Sequence, residues 1–186
     1  MGKVYRKEVR DDRAMTYETF KGSKYDSNLT TTEIAKLIRE QLKKEFPKCK
    51  FSVRTEYFSG GSSITVSLMS APFKVIEDFK NIPEEALLIY GKERVKELQK
   101  ERYHQLSTSY FYDEYDPKEW NNGVFLTKEG FKLLKRVVEI VDQYRKTEGD
   151  LQTDYYNTNF YFHLEIGKWN KPFEDVDDKL LVVFHR

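Results

Sequence analysis

The chain has 186 residues, enough for one domain with a substantial core. Its 32 Lys and Arg against 31 Asp and Glu leave a net charge of +1, which excludes a surface coated uniformly for nucleic acid or as an acidic decoy. Any electrostatic partner must meet a local patch. One cysteine, Cys49, rules out an internal disulfide. No charged-then-apolar leader opens the sequence and no apolar run reaches the length of a membrane span, so a cytoplasmic protein away from membranes is expected.

Residues 1–29 read as a basic arm and linker, and residues 30–186 as a single α+β domain. In the arm Lys3, Arg6, Lys7, Arg10 and Arg13 stand against Glu8, Asp11 and Asp12, while Val4, Tyr5 and Val9 suit an edge strand. Gly22, Ser23, Asp26, Ser27 and Asn28 have linker chemistry. A solvated arm is the plain reading and an RNA-binding arm the sharper one.

Thr30 and Glu33 stand in the S/T-x-x-E relation of a capping box, which predicts a helix start. Ile34, Ile38, Leu42 and Phe46, with Leu37 beside them, gather one apolar stripe opposite Lys36, Arg39, Glu40, Lys43 and Lys44, and Pro47 stops the helix. Phe51, Val53, Thr55 and Tyr57 then alternate with polar residues, as do Ile64, Val66 and Leu68. Two half-buried strands joined as a hairpin through Gly60 and Gly61 follow from that pattern. With the helix laid over the apolar face, Arg54, Glu56 and the serine and threonine hydroxyls look outward, and this polar face is the first place to expect binding. Ser59-Gly60-Gly61-Ser62 could hold a phosphate, but it lacks the lysine and following helix of a P-loop.

Pro72 with Val75, Ile76 and Phe79 predicts a short helix, and Pro83-Glu84-Glu85 opens another, anchored by Leu87, Leu88 and Tyr90 and interrupted at Gly91. Residues 92–105 carry charges in helical steps and predict an exposed helix, with partner binding as the sharper alternative. The following loop interleaves Tyr110, Tyr112, Tyr115 and Trp120 with Asp113, Glu114, Asp116 and Glu119, and ends in the turn Asn121-Asn122-Gly123. It could offer aromatic anchors to a basic surface, or its tyrosines could cover the core. Thr127 caps a core helix bearing Phe131, Leu134, Val137, Val138, Val141 and Tyr144, which Gly149 would close. Residues 155–166 alternate as one long strand, an acidic turn follows at Glu174, Asp175, Asp177 and Asp178, and residues 180–184 make a last strand. The fold class expected is α+β: an antiparallel or mixed sheet containing a β-hairpin, packed against several amphipathic helices.

No reaction is announced, no cofactor is implied, and no metal set is spaced along the chain. Cys49 has no evident partner, and His104, His163 and His185 show no ligand spacing. The weak catalytic candidates are His163 and Glu165, on one side of a strand, with Asp154 near them. The binding candidates are Lys50, Arg54, Glu56, Tyr110, Tyr112, Asp113, Glu114, Tyr115 and Trp120.

The run over residues 32–39, with Leu42-Lys43, Phe46-Pro47, residues 50–54 and residues 60–64, resembles the opening of the large-polyvalent-protein-associated domains. A second segment, from Asp154-Tyr155-Tyr156 through Phe160-Tyr161-Phe162 to Ile166-Gly167-Lys168-Trp169, resembles the closing part, so the likeness spans residues 30–173. Such modules occur in phage and conjugative-element proteins, both inside very long chains and as short free-standing ones. The resemblance transfers no catalytic motif. It implies a mobile-element protein that disarms a host defence, with an inhibitor of a type II CRISPR effector as the specific expectation and Cas9 or its guide-RNA complex as partner. The alternatives are a nucleic-acid-binding accessory module using Lys50, Arg54 and the arm, and a metal-dependent nuclease using Asp154, His163 and Glu165.

Overall fold

In a computed structural model the backbone is described for residues 6–8, 17–150 and 155–175, and side chains for residues 20–149 and 156–175. The fold is α+β, with two four-stranded sheets and amphipathic helices among the described residues. Strands β1 (Arg6–Glu8), β2 (Tyr17–Lys21), β6 (Lys146–Asp150) and β7 (Tyr155–Thr158) form an antiparallel sheet in the order β1-β2-β6-β7. Strands β3 (Lys50–Phe58), β4 (Gly61–Ser70), β8 (Tyr161–Ile166) and β5 (His104–Leu106) form a mixed sheet in the order β3-β4-β8-β5, with β4 and β8 parallel. Tyr17–Lys21 lies within the stretch read as arm and linker; its pairing with Lys146–Asp150 makes it part of a sheet.

Helix α1 (Thr31–Glu45) begins at the expected capping box. Glu33 N–H donates to Thr30 Oγ1, and Thr30 N–H donates to Glu33 Oε2 at 2.8 Å. Ile34, Ile38 and Leu42 are buried, but Leu37 is 36% exposed at the edge of the stripe. Three contacts pin α1 to the hairpin's apolar side: Thr31 with Ser62 (2.7 Å), Thr32 with Tyr57 (3.0 Å), and Arg39 donating to Val53 O (2.8 Å). The hairpin turn uses a positive φ at Gly61 (141°) and none at Gly60.

Helix α4 (Lys128–Asp142) is capped by Thr127, whose hydroxyl accepts from Gly130 N at 3.0 Å. Arg136 clasps both carboxylate oxygens of Glu45 at 2.9 and 3.1 Å, tying α4 to the end of α1. Ile38, Leu42, Ile64, Val66, Leu68, Leu134, Val137, Val141, Leu164 and Ile166 join in one apolar core, which places α1 and α4 on the same side of the mixed sheet. A smaller cluster of Ile82, Ala86, Val95 and Phe125 holds α2 (Glu84–Tyr90) and α3 (Lys92–Leu98).

Several sequence expectations are corrected by tertiary pairing. Residues 72–78 form no helix. Thr127 N–H donates to Val75 O and Glu77 N–H to Phe125 O, so the segment runs extended beside 125–127. The charged helix ends at Leu98, and His104–Leu106 is instead edge strand β5. Leu88 anchors nothing, being 79% exposed. Gly149 lies in β6 and does not close α4, which ends at Asp142. The single long strand over 155–166 is two strands in different sheets. Asn159 accepts from Lys146 N (2.8 Å) and donates to Tyr144 O (3.0 Å), its side chain taking over where the ladder breaks. In the acidic turn, Asp175 is buried facing Arg102 at 3.9 Å. The last strand at 180–184, Asp177, Asp178, His185 and Asp154 lie outside the described residues.

Candidate functional site

The helices cover one face of the mixed sheet; among the described residues none lies over the other, referred to below as the open face. Register decides who stands on it: Ser52 opposes Ser67, Glu165 and Gln105 in turn across the four strands, Arg54 opposes Thr65 and His163, and Glu56 opposes Ser63 and Tyr161. The small residues of β4 thus lie between taller neighbours on β3 and β8 and form the floor of a shallow trough. Ser63 and Ser67 are buried beneath those neighbours, which corrects the expectation that the hairpin hydroxyls all look outward.

Glu165 is the centre of this face. Its carboxylate is buried and receives three donors: Arg54 Nη2 (3.2 Å) and Ser67 Oγ (2.8 Å) on Oε2, and Tyr103 OH (3.3 Å) on Oε1. Gln105 Nε2 donates to the Tyr103 oxygen at 2.9 Å, which extends the network along β5. A buried carboxylate so engaged acts as an anchor, orienting Arg54 with its side chain still 54% exposed. Removing one partner of such a group leaves a charge uncompensated, so the arrangement is a positioning device more than a spare base.

The sequence candidates fall in two places. Arg54, Glu56, His163 and Glu165 share the open face, with Lys50 at its end, 3.8 Å from Glu174. His163 is exposed, two residues along the strand from Glu165, and among the described residues no hydrogen bond joins them. Nor, among the described residues, do three His, Cys, Asp or Glu side chains converge as a metal-holding group.

The loop candidates are elsewhere, and their aromatic rings face inward. Tyr110 donates to Glu119 O (3.2 Å) and packs edge-on to Phe111 and Phe131; Tyr115 donates to Leu126 O (3.1 Å); Tyr112 donates to Asp142 Oδ2 (2.9 Å). Burial pushes the Tyr112 phenol up to about 12, with the Asp142 charge adding to it. Trp120 stacks on Tyr90 at 4.2 Å with the Arg94 guanidinium over its ring. Asp113 and Glu114 remain exposed, and Tyr110, Asp113, Glu119 and Trp120 line an open polar hollow of about 260 Å³.

Sequence reasoning missed Ser67, Tyr103, Gln105, Lys168 and Trp169. For Tyr103 and Gln105 a signal existed: His104 and Leu106 alternate with them as in a strand, but the helical charge spacing upstream masked it.

Residues 29–117 match the family model described as large polyvalent protein associated domain 29, and over this stretch the chain is similar to that domain. The family associates the chain with phages and mobile elements. No curated protein and no solved structure matches. The match ends before α4 and β8, yet β8 lies hydrogen-bonded between β4 and β5 of the matched stretch, so the open face is built from both sides of that boundary. No helix among the described residues is long and apolar enough to cross a membrane.

Proposed function

We propose that this chain is an anti-defence binding protein of a phage or plasmid, acting in the host cytoplasm as an inhibitor of a type II CRISPR effector. It grasps Cas9 or its guide-RNA complex through the open face of the mixed sheet. The observation that carries the binding part is that face itself: a four-stranded surface with no helix over it among the described residues, organised around the Glu165 anchor and presenting Arg54. The family's association with mobile elements supports the anti-defence setting. The test is capture of a type II effector by the tagged protein, with and without guide RNA, followed by DNA cleavage. Stable capture with lost cleavage is expected. Thr65→Arg, which plants a long side chain in the trough away from the core, should abolish both while preserving the unfolding midpoint. Undiminished cleavage without capture overturns the reading, and full inhibition by Thr65→Arg moves the contact to another surface.

A nucleic-acid-binding accessory module is the second reading, favoured by the exposed aromatic rings of Phe58, Tyr156 and Tyr161, which meet at 5.8 and 6.5 Å beside the trough. A steep loss of affinity with salt marks it.

A further inference from the structure

Beyond Glu165 the chain leaves β8 through a tight turn. Lys168 N–H donates to Lys171 O at 2.8 Å and Lys171 N–H returns to Lys168 O at 3.1 Å, with Trp169 and Asn170 at the tip. Gly167 enters this turn at φ 67°, its N–H held by Leu68 O at 2.8 Å, where an added Cβ would sit 2.2 Å from Arg102 O. The turn is therefore fixed to the sheet at its base. It holds Trp169 in solvent, 86% exposed, against the edge of Tyr103 at 6.3 Å. Because Tyr103 also donates to Glu165, the indole is continuous with the Arg54 network.

Among the described residues, the cations at this end of the face are only partly paired. Lys50 and Arg102 are matched by Glu174 and Asp175, and Glu165 matches Arg54. Among the described residues no carboxylate comes within 4.0 Å of the Lys168 or Lys171 ammonium. Desolvation first, and then the neighbouring Arg54 charge, hold the Lys168 ammonium below its ordinary value, with Glu165 acting in the opposite direction.

We propose that Arg54, Lys168, Lys171 and Trp169 form a site for single-stranded nucleic acid, with a base stacked on the indole and neighbouring phosphates held by the three cations. A duplex hides its base faces within its own stack, whereas a single strand offers both a π-face and a phosphate at short separation. An acidic peptide would answer the cations and leave the indole unmatched. The aromatic group of Phe58 and Tyr161 at the opposite end of the trough supplies a second platform along the same face. The proposal rests on the open face being the binding surface and is independent of which effector is the target.

The experiment follows tryptophan emission of the intact protein while a short oligouridine strand, the same sequence as DNA, or a duplex of equal length is added at low salt. Saturable quenching by the single strands and little by the duplex is expected. In Trp169→Ala, where Trp120 remains as the internal control, the quenching should vanish and affinity, read with a labelled strand, should drop about tenfold. Lys168→Gln with Lys171→Gln should flatten the salt slope by roughly 1.4, for two lost phosphate contacts on a single strand. No quenching at low salt, or unchanged affinity in Trp169→Ala, overturns the site. If strands fail to bind while the effector is still inhibited, this site falls and the proposed function stands. Strand binding without effect on any effector keeps the site and removes the proposed function.

Discussion

Half-buried Tyr112 and buried His104 are titrating groups whose pH effects have opposite signs. The Tyr112 phenol, raised to about 12 by burial and then by Asp142, is kept protonated by the fold. Its contribution is intact below its ordinary value of 10.0 and lost as pH rises from there toward 12. His104 is pushed down by burial from 6.5, so the fold favours its neutral form and stability falls as pH drops below about 6.5. Urea midpoints measured across both windows should show these slopes, with Tyr112→Phe flattening the alkaline limb and His104→Gln the acid one. Thr30→Ala removes the acceptor for Glu33 N–H and should cost about 1 kcal/mol in the same assay. The Thr30 cap is legible in the sequence because its partners are three residues apart on one chain segment. The destination of the Tyr112 hydroxyl is not, because Asp142 lies thirty residues further along on another helix.

At the scale of elements, α4 shows propensity and packing in conflict. A Cβ on Gly130 would stand 2.5 Å from Val75 O and 3.0 Å from Val75 Cα, backbone that cannot swing aside. Alanine is the better helix former by about 1 kcal/mol, yet Gly130→Ala should destabilise by roughly 1–3 kcal/mol, since overpacking dominates. A raised thermal midpoint for that variant would show that the 75–77 segment yields. The same segment explains why the sequence points to a helix at Pro72: the short apolar spacing of Val75, Ile76 and Phe79 suits a helix, and only pairing with 125–127 makes it extended. Residues 155–166 teach the converse. Their period-two pattern reads correctly as strand, but period alone cannot reveal that Asn159 divides the run between two sheets.

For the whole molecule, the family match and the folded unit have different edges. A fragment of residues 29–117 keeps the hairpin, α1 and β5 but loses α4, which fills the core, and β8, which joins β4 to β5. It should show no cooperative unfolding transition, and slow amide exchange in β4 of the isolated fragment would count against this view. What the amino-acid sequence determined alone is what depends on near neighbours: the capped helices α1 and α4, the β3–β4 hairpin, the Asn122-Gly123 turn with φ of 49° and 97°, and hence the α+β class. It also singled out Arg54, His163 and Glu165. The tertiary structure alone decided that parallel pairing of β4 with β8 brings Arg54 and Glu165 together across 111 residues, and that Tyr103 and Trp169 join them. The physical reason is that side-chain periodicity reports which face of an element is buried, whereas the partner across a sheet is chosen by the packing of the entire core.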